Sequence, residues 1–140
     1  MTFLVERLAE LRKHLDHLRA LRPRVTDAAA LARDLSLHND VLFSLGRVAQ
    51  LVIDAAGEIA SRRGIRFGSY REAVGSLAEM EEFSPELVER LVRLPGFRNV
   101  LVHDYLQFDL QRAVEALDEL EPVEHFLRTA ATLVEREEHQ

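Results

Sequence analysis

Four polar residues in one short segment could carry out acid–base chemistry on a phosphate ester: Arg98, Asn99, His103 and Tyr105. At about 100° per residue of an α-helix, all four fall within less than half of the circumference. Histidine titrates near neutral pH, arginine is a permanent cation with several donors, and tyrosine adds a phenol. Such groups suit RNA cleavage in which the 2′-hydroxyl attacks the adjacent phosphorus and the protein supplies a base, an acid and a cation.

The helical spacing predicts two contacts within this segment. Asn99 and His103 are four residues apart, so the amide can orient the imidazole, while Arg98 and Tyr105 lie one above the other. One chain supplies one such histidine, whereas symmetric pairing of two chains brings two histidines and two arginines into one cleft. We therefore expect a homodimer. Arginine and histidine at this spacing also occur by chance, so a solvated arginine and a partly buried, hydrogen-bonded histidine remain the alternative.

Helical periodicity runs through the whole chain, and no alternating segment is long enough to predict a strand. A first helix carries a stripe of leucines and is expected to end at Arg22–Pro23, because a residue before proline leaves the helical region. From Thr26–Asp27 the sequence is helical to about Arg63, either as one long helix or as a short helix leading into a longer one. A bend is expected at Leu35–Asn39, and Gly64 occupies the position of a C-cap glycine.

Serine caps predict the next two helices. Ser69 starts a capping box for a third helix from Tyr70 to about Met80. Ser84, with proline at the first helical position, starts a fourth helix that Pro95–Gly96 should kink or interrupt before it resumes toward the tyrosine of the polar segment.

A last helix begins at Asp109, with a bend expected at Pro122, and the polar tail over residues 135–140 is expected to fray. We predict a single all-α domain over residues 1–140, with an ordered core at about 3–134. Its architecture is expected to be an up-and-down bundle of about five helices.

Composition limits the classes of function. The chain has 140 residues, of which 47% are hydrophobic and 30% charged, as expected for one globular core. It has no cysteine, which excludes disulfides, thiolate metal sites, iron–sulfur clusters and a cysteine nucleophile. No apolar run approaches roughly 18 residues and no secretory signal is recognisable, so we expect a cytoplasmic protein without a membrane partner. The net charge of −6 argues against broad nucleic-acid binding, DNA included, but not against a local arginine cluster.

At its polar segment the chain resembles the HEPN superfamily and, within it, the HepT-like branch. That branch carries the motif R-x4-H-x-Y, matched by Arg98, His103 and Tyr105, with Asn99 beside the arginine. The resemblance covers about residues 3–133. Further segments that resemble the branch are Ile53–Asp54, Ser69–Ala73 and Gly96–Asn99.

The resemblance implies the toxin of a type VII-like toxin–antitoxin pair, a dimeric helical bundle whose two motifs face one cleft. It implies a metal-independent endoribonuclease with Arg98 and His103 as catalytic residues and Asn99 in support, leaving a 2′,3′-cyclic phosphate. The implied antitoxin is an MntA-like minimal nucleotidyltransferase that silences the toxin by transferring AMP from ATP to Tyr105. The partner uses the ATP, so this chain needs no cofactor.

Other polar residues allow two readings each. Asp54 interrupts the apolar periodicity of the long helix, so it either supports the polar cleft or lies at the helix edge. His14 and His17 have a spacing that could bind a metal, but no third ligand is evident, so solvated histidines and no metal site are expected. Some arginines could guide a substrate or be ordinary surface charges: Arg62, Arg63, Arg66, Arg90 and Arg93.

Three functions are compatible with these patterns. The first is an active ribonuclease toxin, which the intact Arg98, Asn99 and His103 favour. The second is a non-catalytic helical module that binds a nucleotidyltransferase and presents Tyr105. The third is a purely structural bundle, which leaves the polar segment unexplained.

Overall fold

The computed structural model describes residues 2–138, with the side chain of Thr2 excepted, and its regular elements in this range are all helices, without a strand. The all-α prediction is confirmed, but the expected number of helices is too low, because the described residues form eight α-helices. These are α1 (Thr2–Leu21), α2 (Ala28–Arg33), α3 (Leu35–Arg62), α4 (Tyr70–Gly75), α5 (Pro85–Leu91), α6 (Leu94–His103), α7 (Leu110–Leu117) and α8 (Glu121–Glu138). Short 3-10 helices follow α1, α4 and α6, at Arg22–Arg24, Ser76–Glu79 and Tyr105–Gln107.

The predicted helix starts are found where a short polar side chain precedes the helix. Asp27, Ser69, Ser84 and Asp109 each accept a hydrogen bond from a backbone N–H of the first turn. Gly64 has a φ of 74° directly after the C-cap of α3, the left-handed conformation that glycine adopts without a Cβ clash.

The bend expected at Leu35–Asn39 is wrong, because the chain breaks completely at Asp34. The backbone of Asp34 is extended, with a φ of −123° and a ψ of 100°, and its carboxylate caps α3 by accepting from the Leu37 N–H at 3.1 Å. The other alternative, a short helix leading into a long one, is therefore the correct one.

Two further breaks also lie elsewhere than expected. The chain leaves the helix after Leu91 and α6 starts at Leu94, so Pro95 lies in a first turn, where its missing N–H is not needed. Likewise α7 and α8 are separate helices, and Pro122 is the second residue of α8. The tail expected to fray is helical as far as Glu138, and residues 139 and 140 lie outside the described range.

The long helix α3 lies at the centre of the fold and packs against α1, α4, α6 and α7. Its contact with α6 is close at Gly46, where a Cβ atom would lie 3.3 Å from the Leu101 side chain. This close approach brings the polar face of α6 next to α3. No helix within residues 2–138 combines the length and the hydropathy that a membrane span requires.

Candidate active site

Arg98 is held on the partly buried face of α6 by two neutral amides. Its Nε donates to Gln50 Oε1 at 2.9 Å, and its Nη1 donates to Asn99 Oδ1 at 3.0 Å. The guanidinium carbon lies 5.6 Å from the centroid of the Tyr70 ring, within the range of a cation–π contact. Among residues 2–138 no carboxylate pairs with Arg98, so its positive charge is not neutralised within the chain.

Gln50 of α3 is the residue that sequence reasoning missed. Its Nε2 donates to Asp54 Oδ1 at 2.8 Å, which fixes the amide and turns its oxygen toward Arg98. The opposite amide orientation would place its oxygen against a carboxylate and its NH₂ against a guanidinium. Gln50 gives little signal in a sequence, but it lies one helical turn before Asp54, on the same face.

Asp54 lies in this chain of contacts, one residue removed from Arg98. Its Oδ2 is also 3.9 Å from the Arg7 Nε of α1, and the Arg7 guanidinium carbon lies 4.0 Å from the Phe3 ring centroid. The carboxylate therefore reaches the site only through Gln50, and its supporting role remains a prediction.

His103 is the last residue of α6, and its side chain is exposed. The predicted contact from Asn99 is absent, because the Asn99 oxygen accepts from Arg98 instead. Within the described range the imidazole makes no hydrogen bond, so both ring nitrogens are accessible to a substrate.

Tyr105 does not lie above Arg98 as predicted, because α6 ends at His103 and the tyrosine begins a separate 3-10 turn. Asp104 leaves the helical region with a φ of −119° and a ψ of 34°. The Tyr105 hydroxyl donates to Asn39 Oδ1 at 3.2 Å, and its ring meets His38 edge-on, with 5.8 Å between centroids. The side chain is 42% exposed and is therefore accessible to a modifying enzyme.

Large apolar side chains are exposed beside this site. On α3, Leu35 and Phe43 flank Asn39 at four-residue spacing and so share a face with the acceptor of the Tyr105 hydroxyl. Val102 is also exposed, and Leu106 is 96% exposed. We call these four apolar residues the apolar rim.

The remaining candidates lie outside this site. His14 Nδ1 is 3.0 Å from the buried Ser44 hydroxyl, and burial lowers the pKa of His14, while His17 lies 3.7 Å from Asp40. The described residues hold no cluster of three potential metal ligands.

The arginines proposed as guides fall into two groups. Arg62 pairs with Glu58 and Glu137, and Arg63 pairs with Glu82, so carboxylates hold both. Three others make no ion pair with any described residue: Arg66, Arg90 and Arg93.

Comparison with known proteins identifies a family for the chain. A family model described as "Ribonuclease HepT-like" matches residues 11–130. The mRNA nuclease HepT of Shewanella oneidensis is 28% identical over 103 residues, which are 72% of this chain and 77% of that protein.

Solved structures share the fold. A tri-AMPylated HEPN toxin of Shewanella oneidensis in complex with an MNT antitoxin has a TM-score of 0.78 at 23% identity, covering 92% of this chain and 96% of that one. A toxin–antitoxin complex with AMP-PNP gives 0.81 at 22% identity, over 94% and 99%. YutE of Bacillus subtilis, a cytosolic protein of unknown function, gives 0.71 at 18% identity, over 94% and 91%. From the match over most of its length, this chain belongs to the HepT-like ribonuclease family.

Proposed function

We propose that this protein is a single-domain, cytoplasmic toxin of a type VII-like toxin–antitoxin pair and acts as a metal-independent endoribonuclease. The observation that carries the proposal is an arginine held by neutral amides on the same helix as an exposed histidine that has no hydrogen-bond partner within residues 2–138. The family and the name of the Shewanella relative, an mRNA nuclease, support RNA as the substrate.

In the proposed reaction His103 accepts the proton of a 2′-hydroxyl, and the 2′-oxygen forms a bond to the adjacent phosphorus. The bond from phosphorus to the 5′-oxygen breaks, and that oxygen takes a proton from the protonated His103 of a second copy. Arg98 donates to a non-bridging oxygen as its negative charge grows. The products are a 2′,3′-cyclic phosphate and a free 5′-hydroxyl.

A homodimer supplies the second histidine. The apolar rim lies beside the site, and exposed apolar surface is typical of a face that pairs with a protein. Burying Leu106 and Phe43 against a second copy removes this surface from water and brings both motifs toward one cleft. The assembly is symmetric because both copies use the same face.

The proposed regulation acts on Tyr105. An MntA-like nucleotidyltransferase antitoxin transfers AMP from ATP to the tyrosine oxygen and releases pyrophosphate. The exposed turn carries Tyr105 away from the rigid helix, so the hydroxyl loses only one exposed hydrogen bond, to Asn39, on modification. The added AMP is a bulky anion two residues after His103 in the chain, where it obstructs the approach of RNA to the site. The tri-AMPylated toxin structure, solved with its MNT antitoxin, supports this regulation.

RNA cleavage in EDTA tests the proposal. Wild type should cut RNA and leave cyclic phosphate ends, whereas His103→Ala should lose at least about 100-fold in rate. Arg24→Ala, an exposed arginine 3.4 Å from Asp34, is the matched control and should cut normally. Cleavage that survives His103→Ala, or that needs a divalent metal, contradicts the proposal. A folded protein that binds the antitoxin and cuts no RNA would instead be the non-catalytic binding module.

A further inference from the structure

A groove of about 260 Å³ lies on another face of α6, bounded by α3, α5, α7 and the start of α8. On α6 it is lined by Leu94 and Phe97, whereas Arg98, the next residue, points about 100° away around the helix. None of the four polar residues of the candidate active site lines the groove. The two sites are therefore neighbours along the chain but separate surfaces.

Arginine side chains without an ion-pair partner among the described residues line the groove. Arg90, Arg93 and Arg112 line it, and none of them has an ion-pair partner among residues 2–138. Two carboxylates, Glu115 and Glu119, also line it. The walls thus offer guanidinium donors for an anion together with carboxylate acceptors for N–H or O–H groups.

The Arg112 guanidinium lies over the Phe97 ring in this groove. The Arg112 guanidinium carbon lies 6.0 Å from the centroid of the Phe97 ring. The Phe97 ring is fixed in turn by the buried Phe108, which it meets edge-on with 5.7 Å between centroids. Nucleobases stack on guanidinium planes and on aromatic rings without strong sequence preference.

We infer that this groove binds one nucleotide of the RNA strand on which the site of Arg98 acts, an inference that rests on the proposed function. The base stacks on Arg112, Arg90 and Arg93 bind the phosphate, and Glu115 accepts from a base amino group or a ribose hydroxyl. The volume is just below the roughly 300–1,000 Å³ of small-molecule sites, which suits a single nucleotide. Because Phe97 and Arg98 are consecutive, a strand held here continues around α6 toward the scissile phosphate.

The test uses the full chain with His103→Ala, which prevents cleavage, and a fluorescent single-stranded RNA of 12 nucleotides as the probe. Adding Arg93→Gln and Arg112→Gln should raise the Kd by about tenfold or more, in line with the loss of one stacked base. The slope of log affinity against log salt should fall by about 0.7 for each phosphate that the variant no longer binds. The matched control changes Arg24→Gln and Arg128→Gln, which carry the same loss of charge on ion-paired arginines.

Three outcomes overturn the inference: an unchanged Kd, an equal loss of binding in the control, or 5′-AMP binding as tightly as the RNA through the same arginines. With His103 restored, the groove variant should show a raised KM and an unchanged kcat. If the groove variant binds RNA normally and cleavage is active, the inference about the groove is wrong and the ribonuclease function stands. If RNA binding depends on the groove but the protein cuts no RNA, the ribonuclease function is wrong and the inference about the groove stands.

Discussion

Two groups of arginines in this molecule differ in the charge of the groups that hold them. Between α1 and α8, Arg12 and Arg19 both donate to the carboxylate of Glu124, which is only 7% exposed. On α6, Arg98 donates to the neutral amides of Gln50 and Asn99. Arg12 and Arg19 thus belong to an ion network that joins two helices, whereas Arg98 has no carboxylate partner among residues 2–138.

The electrostatic consequence is visible at Glu124. Hydrogen bonds from Arg12, and then from Arg19, outweigh the effect of burial and lower its pKa to about 2. Removing any one partner of this buried carboxylate with two cations is destabilising, because it leaves a charge unmatched. An arginine held by amides keeps its orientation and retains its charge for a bound anion. The same side chain therefore has a structural role in one place and can bind a phosphate in the other.

The largest expected effect is the difference between the alanine variants of Arg98 and Arg12. Arg98→Ala should lower RNA cleavage at least about 100-fold, since it removes a donor to the developing charge. Its unfolding temperature should change little, because its partners are neutral amides. Arg12→Ala should lower stability and leave the cleavage rate of the folded protein unchanged. Measurements of the cleavage rate and the unfolding temperature of both variants test this prediction. If both variants lose cleavage and stability to the same extent, the two arginines do not differ in role.

Gln50→Glu should give Arg98 a carboxylate partner, like the one that Arg12 and Arg19 share. A carboxylate at this position pairs with Arg98 and also opposes Asp54 one turn away, so cleavage should fall by roughly 10- to 100-fold. Gln50→Leu removes the oxygen acceptor without adding charge and should cost about tenfold, mainly in kcat. Circular dichroism checks that both variants fold. A normal rate in Gln50→Glu would show that the neutrality of the acceptor has no effect on cleavage.

Glu124→Gln should show how much the buried ion network matters for stability. The exchange removes the buried charge and replaces one acceptor oxygen by an NH₂ group, so a single oxygen remains for two guanidinium groups. The free energy of unfolding should fall by about 2 kcal/mol. Glu121→Gln, whose exposed carboxylate lies 3.2 Å from Arg128 and 3.9 Å from Arg19 at the edge of the same network, should cost less than about 0.5 kcal/mol. Urea unfolding of both proteins provides the comparison, and similar losses would contradict it.

The smallest effect is the pH dependence of the same network. Because the pKa of Glu124 is lower in the folded than in the unfolded state, its contribution is complete well above about pH 4.5. It is lost as pH falls toward about 2, since the unfolded chain takes up the proton first. The stability difference between wild type and Glu124→Gln should shrink by about 1 kcal/mol between pH 7 and pH 4. A constant difference over this interval would contradict the lowered pKa.

Sequence patterns located helix starts better than helix breaks. Ser84 and Asp109 are visible caps, because their side chains act within one turn. The breaks after Arg33, Leu91 and Leu117 were missed or misplaced, because apolar periodicity continues across them into the next helix. The position of each helix break depends on tertiary packing, which hydrophobic periodicity does not describe.

The helix that carries Arg98 and His103 was predictable, but the contacts of these candidate residues were less so. Arg98 and His103 do share α6, as their spacing requires. Tyr105 was misplaced because nothing in the sequence marks the end of that helix at His103. Gln50 was missed because its contact with Arg98 joins positions 48 residues apart, which one sequence without relatives does not reveal.

The contact between Gly46 and Leu101 has an evolutionary consequence. A larger residue at Gly46 would press on the Leu101 side chain, move α6 away from α3 and lengthen the bond from Arg98 to Gln50. In a homologue, a bulkier residue at this position would therefore disturb the contact of the motif arginine without changing the motif itself. The R-x4-H-x-Y pattern alone does not report whether the two helices lie close enough for this contact.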